Sequence, residues 1–232
     1  CGWLISRLVD RETRSIPVAL LAGFAGGLVA TFDVPNTVYV CGLFALPLLR
    51  FRNGNWVAVG VGAAVPVLVQ SWLLLQSTGS PLPVQVRPDT YLYESAYWRN
   101  PLGVDALSEP KGRYAFNMTI GNRGIFVLYP ILLAGLAGPV VALAHRTDLR
   151  RALLGACLCV AVVFGYYIAG TSNYGGEVYG MRWLIPSMPV LLFMAIPVLR
   201  RANQPVIAAV LALALAVSVY SAWPGGKTPW AA

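Results

Sequence analysis

Charge is what this sequence has least of. Only 11% of its 232 residues are charged, nine Asp and Glu against 17 Lys and Arg, where soluble chains carry about 25%. So few charges cannot cover a water-soluble domain of this size, and the soluble classes are excluded on that ground. Histidine is nearly missing too. His145 is alone and sits on a basic stretch, so no Ser-His-Asp set is readable. The cysteines are Cys1, Cys41, Cys157 and Cys159, three of them inside apolar runs. They offer neither a disulfide framework nor metal-ligand spacing with His, and read as thiols acting as small apolar side chains. Neither a P-loop nor a Rossmann fingerprint occurs, which sets cytosolic nucleotide chemistry aside. No basic stripe is interleaved with aromatics, so no nucleic-acid partner is expected.

What is abundant is apolar. Hydrophobic residues reach 57% and the mean hydropathy is +0.65, the composition of a chain whose solvent is lipid. The expected fold is all-α, a polytopic membrane bundle of about seven transmembrane helices forming a single transmembrane domain over 1–232. A crossing helix needs about 20 apolar residues. The candidate runs are Ile16 to Phe32, Thr37 to Leu49, Trp56 to Leu75, Gly124 to Ala144, Ala152 to Ile168, Trp183 to Leu199 and Val206 to Tyr220. The second is the shortest and needs Pro35 at its start, a tilt, or burial among neighbours.

Orientation follows from the short-loop cations. Arg7, Arg11, Arg14, Arg50, Arg52, Arg146, Arg150, Arg151, Arg200 and Arg201 fall on alternate flanks, all on one side of such a bundle. The other side carries Asp33, a long stretch at 76–122, the stretch from Gly170 to Arg182, and the C-terminal tail, where acidic and basic residues nearly balance. The first side is expected to be cytoplasmic, giving an N-in, C-out chain with one long extracytoplasmic loop. The net charge of +8 is then largely an arginine collar facing anionic headgroups. Because the chain starts at Cys1 rather than Met, it reads as a fragment or processed product of a longer polypeptide. A lipoprotein-type Cys-Gly start is the lesser reading beside Arg7, Arg11 and Arg14.

Four polar regions are candidate sites, since ionisable groups beside spans are uncommon. In Thr31-Phe-Asp-Val-Pro-Asn, Asp33 is a candidate base or cation ligand. The plainer reading is a turn in which Asp33 or Asn36 accepts backbone N–H bonds. The long loop is rich in aromatics, and Tyr91 to Trp98 reads as a short amphipathic helix at the interface or a sugar-stacking surface. Asn117-Met-Thr is a glycosylation sequon, which matters only in a eukaryotic secretory pathway. Lys111, Arg113 and Arg123 lead into Gly124 at the head of a span, and suit a phosphate or pyrophosphate. The plainer reading is snorkelling to headgroups. The fourth region, from Thr171 to Pro186, gathers Asn173, Tyr174, Glu177, Tyr179 and Arg182 among glycines that let a ligand approach. A Glu177–Arg182 pair pinning the loop is its structural alternative.

Three blocks in order carry a resemblance: Leu21-Ala-Gly-Phe-Ala-Gly-Gly-Leu-Val-Ala-Thr-Phe-Asp-Val-Pro, then Gly79-Ser-Pro-Leu-Pro with Asn122-Arg-Gly-Ile-Phe-Val-Leu-Tyr-Pro, then Tyr179-Gly-Met-Arg-Trp-Leu-Ile-Pro-Ser-Met-Pro. Together they resemble the membrane portion of GT-C-fold glycosyltransferases that use polyprenyl-phosphate sugars, the protein O-mannosyltransferase-like group. Trp183 stands where that group's pattern has Tyr. The resemblance implies transfer of a sugar from a polyprenyl-phosphate donor to an acceptor hydroxyl outside the cytoplasm. The membrane is expected to be a bacterial inner membrane. The family's catalytic acid lies in a first outer loop that has no counterpart here, so the chain corresponds to a C-terminal part. By that resemblance, phosphate contacts fall to Arg123 and Arg182 with Lys111 or Arg113, Tyr174 and Tyr179 are further substrate contacts, the aromatic loop borders the sugar or acceptor, and Asp33 and Glu177 are weak candidates for the acid. No cofactor is legible and a divalent metal is left open. Two other classes remain open: a transporter or flippase segment, which expects charges at mid-span, and a non-catalytic membrane subunit packed through its glycines.

Overall fold

The computed structural model describes residues 15–48, 55–90, 92–96, 99, 109–121, 124–145, 149–171, 174 and 180–227. Among these residues there are helices and turns and no strand. The chain is all-α. Its helices gather into two compact units, Cys1–Arg99 and Asn100–Ala232.

The first unit contains α1 (Ile16–Phe32), α2 (Val34–Leu48) and α3 (Asn55–Thr78), followed by 3-10 turns at Val84–Val86 and Pro88–Thr90. Glycine decides how α1 meets α3. A Cβ on Gly23 would strike the carbonyl of Val59, one on Gly27 that of Ala63, and one on Gly62 that of Leu20. The backbones therefore approach directly, as small residues permit where lipid supplies no hydrophobic drive between helices. At the far end of α1 the chain turns at Asp33, leaving carbonyls without intrahelical partners. Thr31 Oγ1 donates to Leu28 O at 2.7 Å, Asn36 Nδ2 to Val29 O at 3.3 Å, and Gln70 Nε2 of α3 to Thr31 O at 2.7 Å. Asn36 thus closes the helix behind it by donating through its amide.

The second unit contains α4 (Lys111–Thr119), α5 (Ile125–Leu128), a 3-10 turn at Pro130–Leu132, α6 (Leu133–Ala144), α7 (Arg150–Gly170), a 3-10 stretch at Arg182–Ser187, α8 (Met188–Met194), α9 (Ile196–Leu199) and α10 (Pro205–Lys227). Two of the apolar runs prove to be broken helices, and proline is the cause in each. Tyr129 precedes Pro130 and is pushed out of the helical region, to φ −129 and ψ 68, as pre-proline sterics demand. The N–H of Ile131 is released by that break. It donates to Ser218 Oγ at 3.1 Å, and Ser218 in turn donates to Ala214 O at 2.7 Å. Ser218, 5% exposed, is the one buried residue of α10, and it repairs a defect in another helix.

Replacing Ser218 by Ala strands that N–H in apolar surroundings. The expected cost is about 1–2 kcal/mol, read as an earlier unfolding midpoint in detergent, while Ser218→Thr retains most of the stability.

Among the described residues three helices are long and apolar enough to cross a membrane: Trp56–Thr78, Arg150–Gly170 and Pro205–Lys227. Ile16–Phe32, Pro130–Ala144 and Arg182–Met194 are apolar but shorter. At about 1.5 Å per residue, the 17 residues of Ile16–Phe32 reach roughly 25 Å, short of the ~30 Å hydrocarbon core. Large apolar side chains stand exposed around these helices, Val206 at 73%, Leu213 at 68% and Leu68 at 66% among them. A helix apolar on every face and covered on almost none is solvated by lipid. Membrane residence follows from that surface.

The stretch 76–122 is less irregular than its sequence suggests. Pro110 opens the helix Lys111–Thr119, which buries Tyr114 and Met118 one turn apart. The interfacial helix expected from Tyr91 to Trp98 is not formed across 92–96. That segment makes tight turns instead, with Ala96 N donating to Tyr93 O at 2.9 Å and Arg99 Nε to Leu92 O at 2.7 Å. Tyr91, Tyr97 and Trp98 lie outside the described residues.

Candidate functional site

The densest polar cluster in the second unit forms where the start of α4 meets the C-terminal end of α7. Glu109 precedes Pro110, and Pro110 caps α4. Its carboxylate oxygen Oε2 accepts from the Tyr174 hydroxyl at 2.7 Å and from Asn117 Nδ2 at 3.2 Å. Asn117 is eight residues further along, two turns up the same helix, so α4 itself sets one of the two donors. Tyr174 arrives from the segment after α7.

A second arm lies beside the first. The Tyr114 hydroxyl and Thr171 Oγ1 are 2.6 Å apart, and Thr171 Oγ1 also bonds to Tyr167 O at 3.0 Å. Lys111 Nζ donates to Thr171 O at 2.7 Å. The rings of Tyr114 and Tyr174 join the arms, with centroids 5.0 Å apart. Tyr167 then stacks on Trp183 at 5.8 Å, and the Arg182 guanidinium lies over the Trp183 ring at 5.1 Å. Carboxylate, ammonium, guanidinium and four aromatic rings thus form one continuous assembly.

Burial separates the supporting groups from the reachable ones. Tyr114 is 0% and Tyr174 3% exposed, while Glu109 is half-buried and Lys111 and Arg182 are exposed. Burial pushes the Tyr114 hydroxyl above the ordinary 10.0, although its bond to Thr171 opposes the shift. Tyr174 is pushed up to about 12, first by burial and then by its bond to Glu109. The proton therefore stays on Tyr174, which donates to Glu109 throughout the neutral range.

The stability consequence has a definite sign. Between pH 10 and about 12 the unfolded chain has released the Tyr174 proton while the folded one still holds it, so stability falls across that window. Phenolate absorbance of the intact protein should show late-ionising tyrosines, one fewer in Tyr174→Phe. A wild-type titration identical to that of the variant would contradict the arrangement.

Of the residues expected to bind phosphate or sugar, Lys111 and Tyr174 meet in this cluster, and Arg182 joins it through Trp183. Arg113 is exposed on α4, on the same short helix as Lys111. Asp33 belongs to the other unit, where its backbone carbonyl accepts from Asn36 N at 3.0 Å. Arg123, Glu177 and Tyr179 lie outside the described residues, as does the alternative Glu177–Arg182 pair. The helix head at Gly124 is only the four residues Ile125–Leu128. Gly124 is there for a different reason: a Cβ would sit 2.6 Å from Thr119 O.

The chain matches no protein-family model, no curated protein and no solved structure. The site must be read from its own atoms.

Two residues here escape a reading of the sequence. Glu109 looks like one more charge in a long loop, yet it is the carboxylate at the centre. The signal that could have found it is Glu-Pro ahead of a helix whose Asn117 lies on the returning face. Asn117 itself invites reading as a sequon, but its amide nitrogen is occupied by Glu109 and it sits within a helix, both unsuited to modification. Among the described residues no three His, Cys, Asp or Glu side chains gather as metal ligands.

Proposed function

We propose that this chain is the membrane portion of a glycosyltransferase that takes a sugar from a lipid-phosphate carrier and passes it to an acceptor hydroxyl outside the cytoplasm. The proposal includes seven spans, an N-in and C-out arrangement, residence in a bacterial inner membrane, and continuation of the polypeptide beyond this segment. One observation carries it. A reachable carboxylate, Glu109, is fixed by two donors next to exposed cations at the end of an apolar helix, where a lipid phosphate at the interface would meet them.

Each group has a chemical part. Glu109 takes the proton of the acceptor hydroxyl as that oxygen bonds to the anomeric carbon. The bond from that carbon to the phosphate oxygen breaks, and the lipid phosphate departs with the electron pair. Lys111 and Arg182 stabilise the charge on the leaving phosphate. Trp183 and the tyrosines offer faces for the sugar ring, with Arg123, Arg113 and Tyr179 as further contacts from the same stretches. The three sequence blocks similar to GT-C enzymes support the same reading. Charges at span ends rather than mid-span favour it over transport, because the mid-span polar groups Gln70 and Ser218 are spent on backbone repair.

The test is transfer itself. Membranes containing the complete open reading frame, supplied with a polyprenyl-phosphate sugar labelled in the sugar, are expected to release free polyprenyl phosphate and label an acceptor. Failure to consume any such donor would remove the reading. Cysteine-accessibility labelling at Gln76, Ser80, Glu94 and His145 tests the topology, with His145 expected on the opposite side from the other three.

A further inference from the structure

The opposite end of α7 holds a second polar feature, independent of the transferase reading. A cavity of about 160 Å³ is lined by Val141, His145, Leu149, Pro197, Arg200 and Arg201. It is several times the space a single water needs. Val141, Leu149 and Pro197 supply its apolar wall, and His145, Arg200 and Arg201 complete the lining. The 21 residues of α7 separate this cavity from Thr171 by roughly 30 Å at 1.5 Å per residue.

Backbone arrangement adds to the positive character. Leu149 is the N-cap of α7, a 21-residue helix, so the positive end of its dipole lies at this rim. Helices α6 and α9 end here too, which by itself would bring negative dipole ends. Part of that end is already occupied: Val141 O accepts from His145 N at 3.1 Å, Ile196 O from Arg200 N at 3.0 Å and Val198 O from Arg201 N at 2.9 Å. Among the described residues that line the cavity none is acidic.

We propose that this cavity binds a phosphate-bearing anion, with Arg200 and Arg201 as its forked donors, His145 at the rim, and the apolar wall against an acyl chain. The shared chemistry is a phosphate. The apolar wall favours the headgroup of an anionic lipid over a free ion, and basic pockets between membrane helices are suited to such headgroups.

The experiment uses the full chain in nanodiscs, either phosphatidylcholine alone or phosphatidylcholine with phosphatidylglycerol, with bound lipid counted by native mass spectrometry. Inorganic phosphate is added as a competitor in a separate arm. Wild type should retain phosphatidylglycerol through delipidation. The pair Arg200→Gln and Arg201→Gln should bind it about thirty-fold more weakly, from roughly five-fold for each arginine near an anionic surface. The pair Arg150→Gln and Arg151→Gln removes the same charge near the same end of α7 without touching the cavity, and should leave retention unchanged. Should the Gln pair fail to insert, Arg200→Lys with Arg201→Lys keeps the charge but loses the bidentate fork, and is expected to lose part of the binding. Displacement by inorganic phosphate at low concentration would support the site and assign it to a free ion. Equal loss in both Gln pairs, or no retention by wild type, would overturn it.

Discussion

Glu109→Gln is expected to abolish sugar transfer while leaving the protein inserted and folded. The substitution keeps the size of the side chain and an oxygen able to accept from Tyr174 and Asn117, whose bonds to Oε2 are 2.7 and 3.2 Å. What it removes is the capacity to take a proton from the acceptor. General base catalysis contributes about 10²–10⁴-fold, and the loss in turnover should fall in that range with the affinity for the lipid donor little changed. That split discriminates the role. A carboxylate that only held α4 against the Tyr174 segment would show its loss in unfolding, with turnover of the folded fraction intact. Tyr174→Phe serves as the companion: it removes one donor but leaves the base, so turnover should fall far less than in Glu109→Gln. Full transfer by Glu109→Gln would remove Glu109 from the chemistry and leave Glu177, or an acid elsewhere in the polypeptide, to supply it.

The positions of the apolar elements were legible because lipid solvation is a local property of sequence. The run Ile16 to Phe32 coincides with α1, and the other runs are helical over most of their described residues. Hydropathy carries no information on continuity, however. The run from Gly124 to Ala144 is as apolar as its neighbours yet breaks at Tyr129, and the Tyr-Pro pair rather than the hydropathy was the signal. Among the described residues three runs suffice to cross alone while others are shorter, a distinction set by where proline and polar turns interrupt the chain.

The candidate site was legible only in part, for a different reason. Lys111, Tyr174 and Arg182 stood out because charged and aromatic groups beside spans are uncommon. Glu109 did not, because its significance depends on Tyr174, 65 residues away, and on the helix Lys111–Thr119, which hides in a stretch of mixed polarity. The Asp33 turn was legible as a turn, but the donation from Asn36 back to α1 was not. Which carbonyl Asn36 reaches depends on how α1 ends, and that in turn on Gln70 arriving from α3.

Glycine supplies the sharpest stability test, since one substitution has opposite expected signs at two helical positions. Gly138 and Gly135 lie one turn apart on α6, and a Cβ at either would collide with backbone, the carbonyl of Met194 in one case and that of Leu191 in the other. Backbone on α8 cannot rotate away as a side chain does. Gly138→Ala should therefore force the two helices apart, costing about 1–3 kcal/mol as overpacking does. The collision forfeits whatever Ala contributes through its better helix propensity. Gly165 is likewise inside a helix, α7, but a Cβ there meets nothing within 4 Å. Only propensity then remains, and Gly165→Ala should stabilise by up to ~1 kcal/mol. Unfolding midpoints of the two variants in the same detergent should move in opposite directions from wild type. Because α8 follows directly from the stretch bearing Arg182 and Trp183, displacement by Gly138→Ala should also shift the Trp183 emission, while Gly165→Ala leaves it in place. A Gly138→Ala protein as stable as wild type would show that α6 and α8 are not in backbone contact, and the close packing of the second unit would have to be given up.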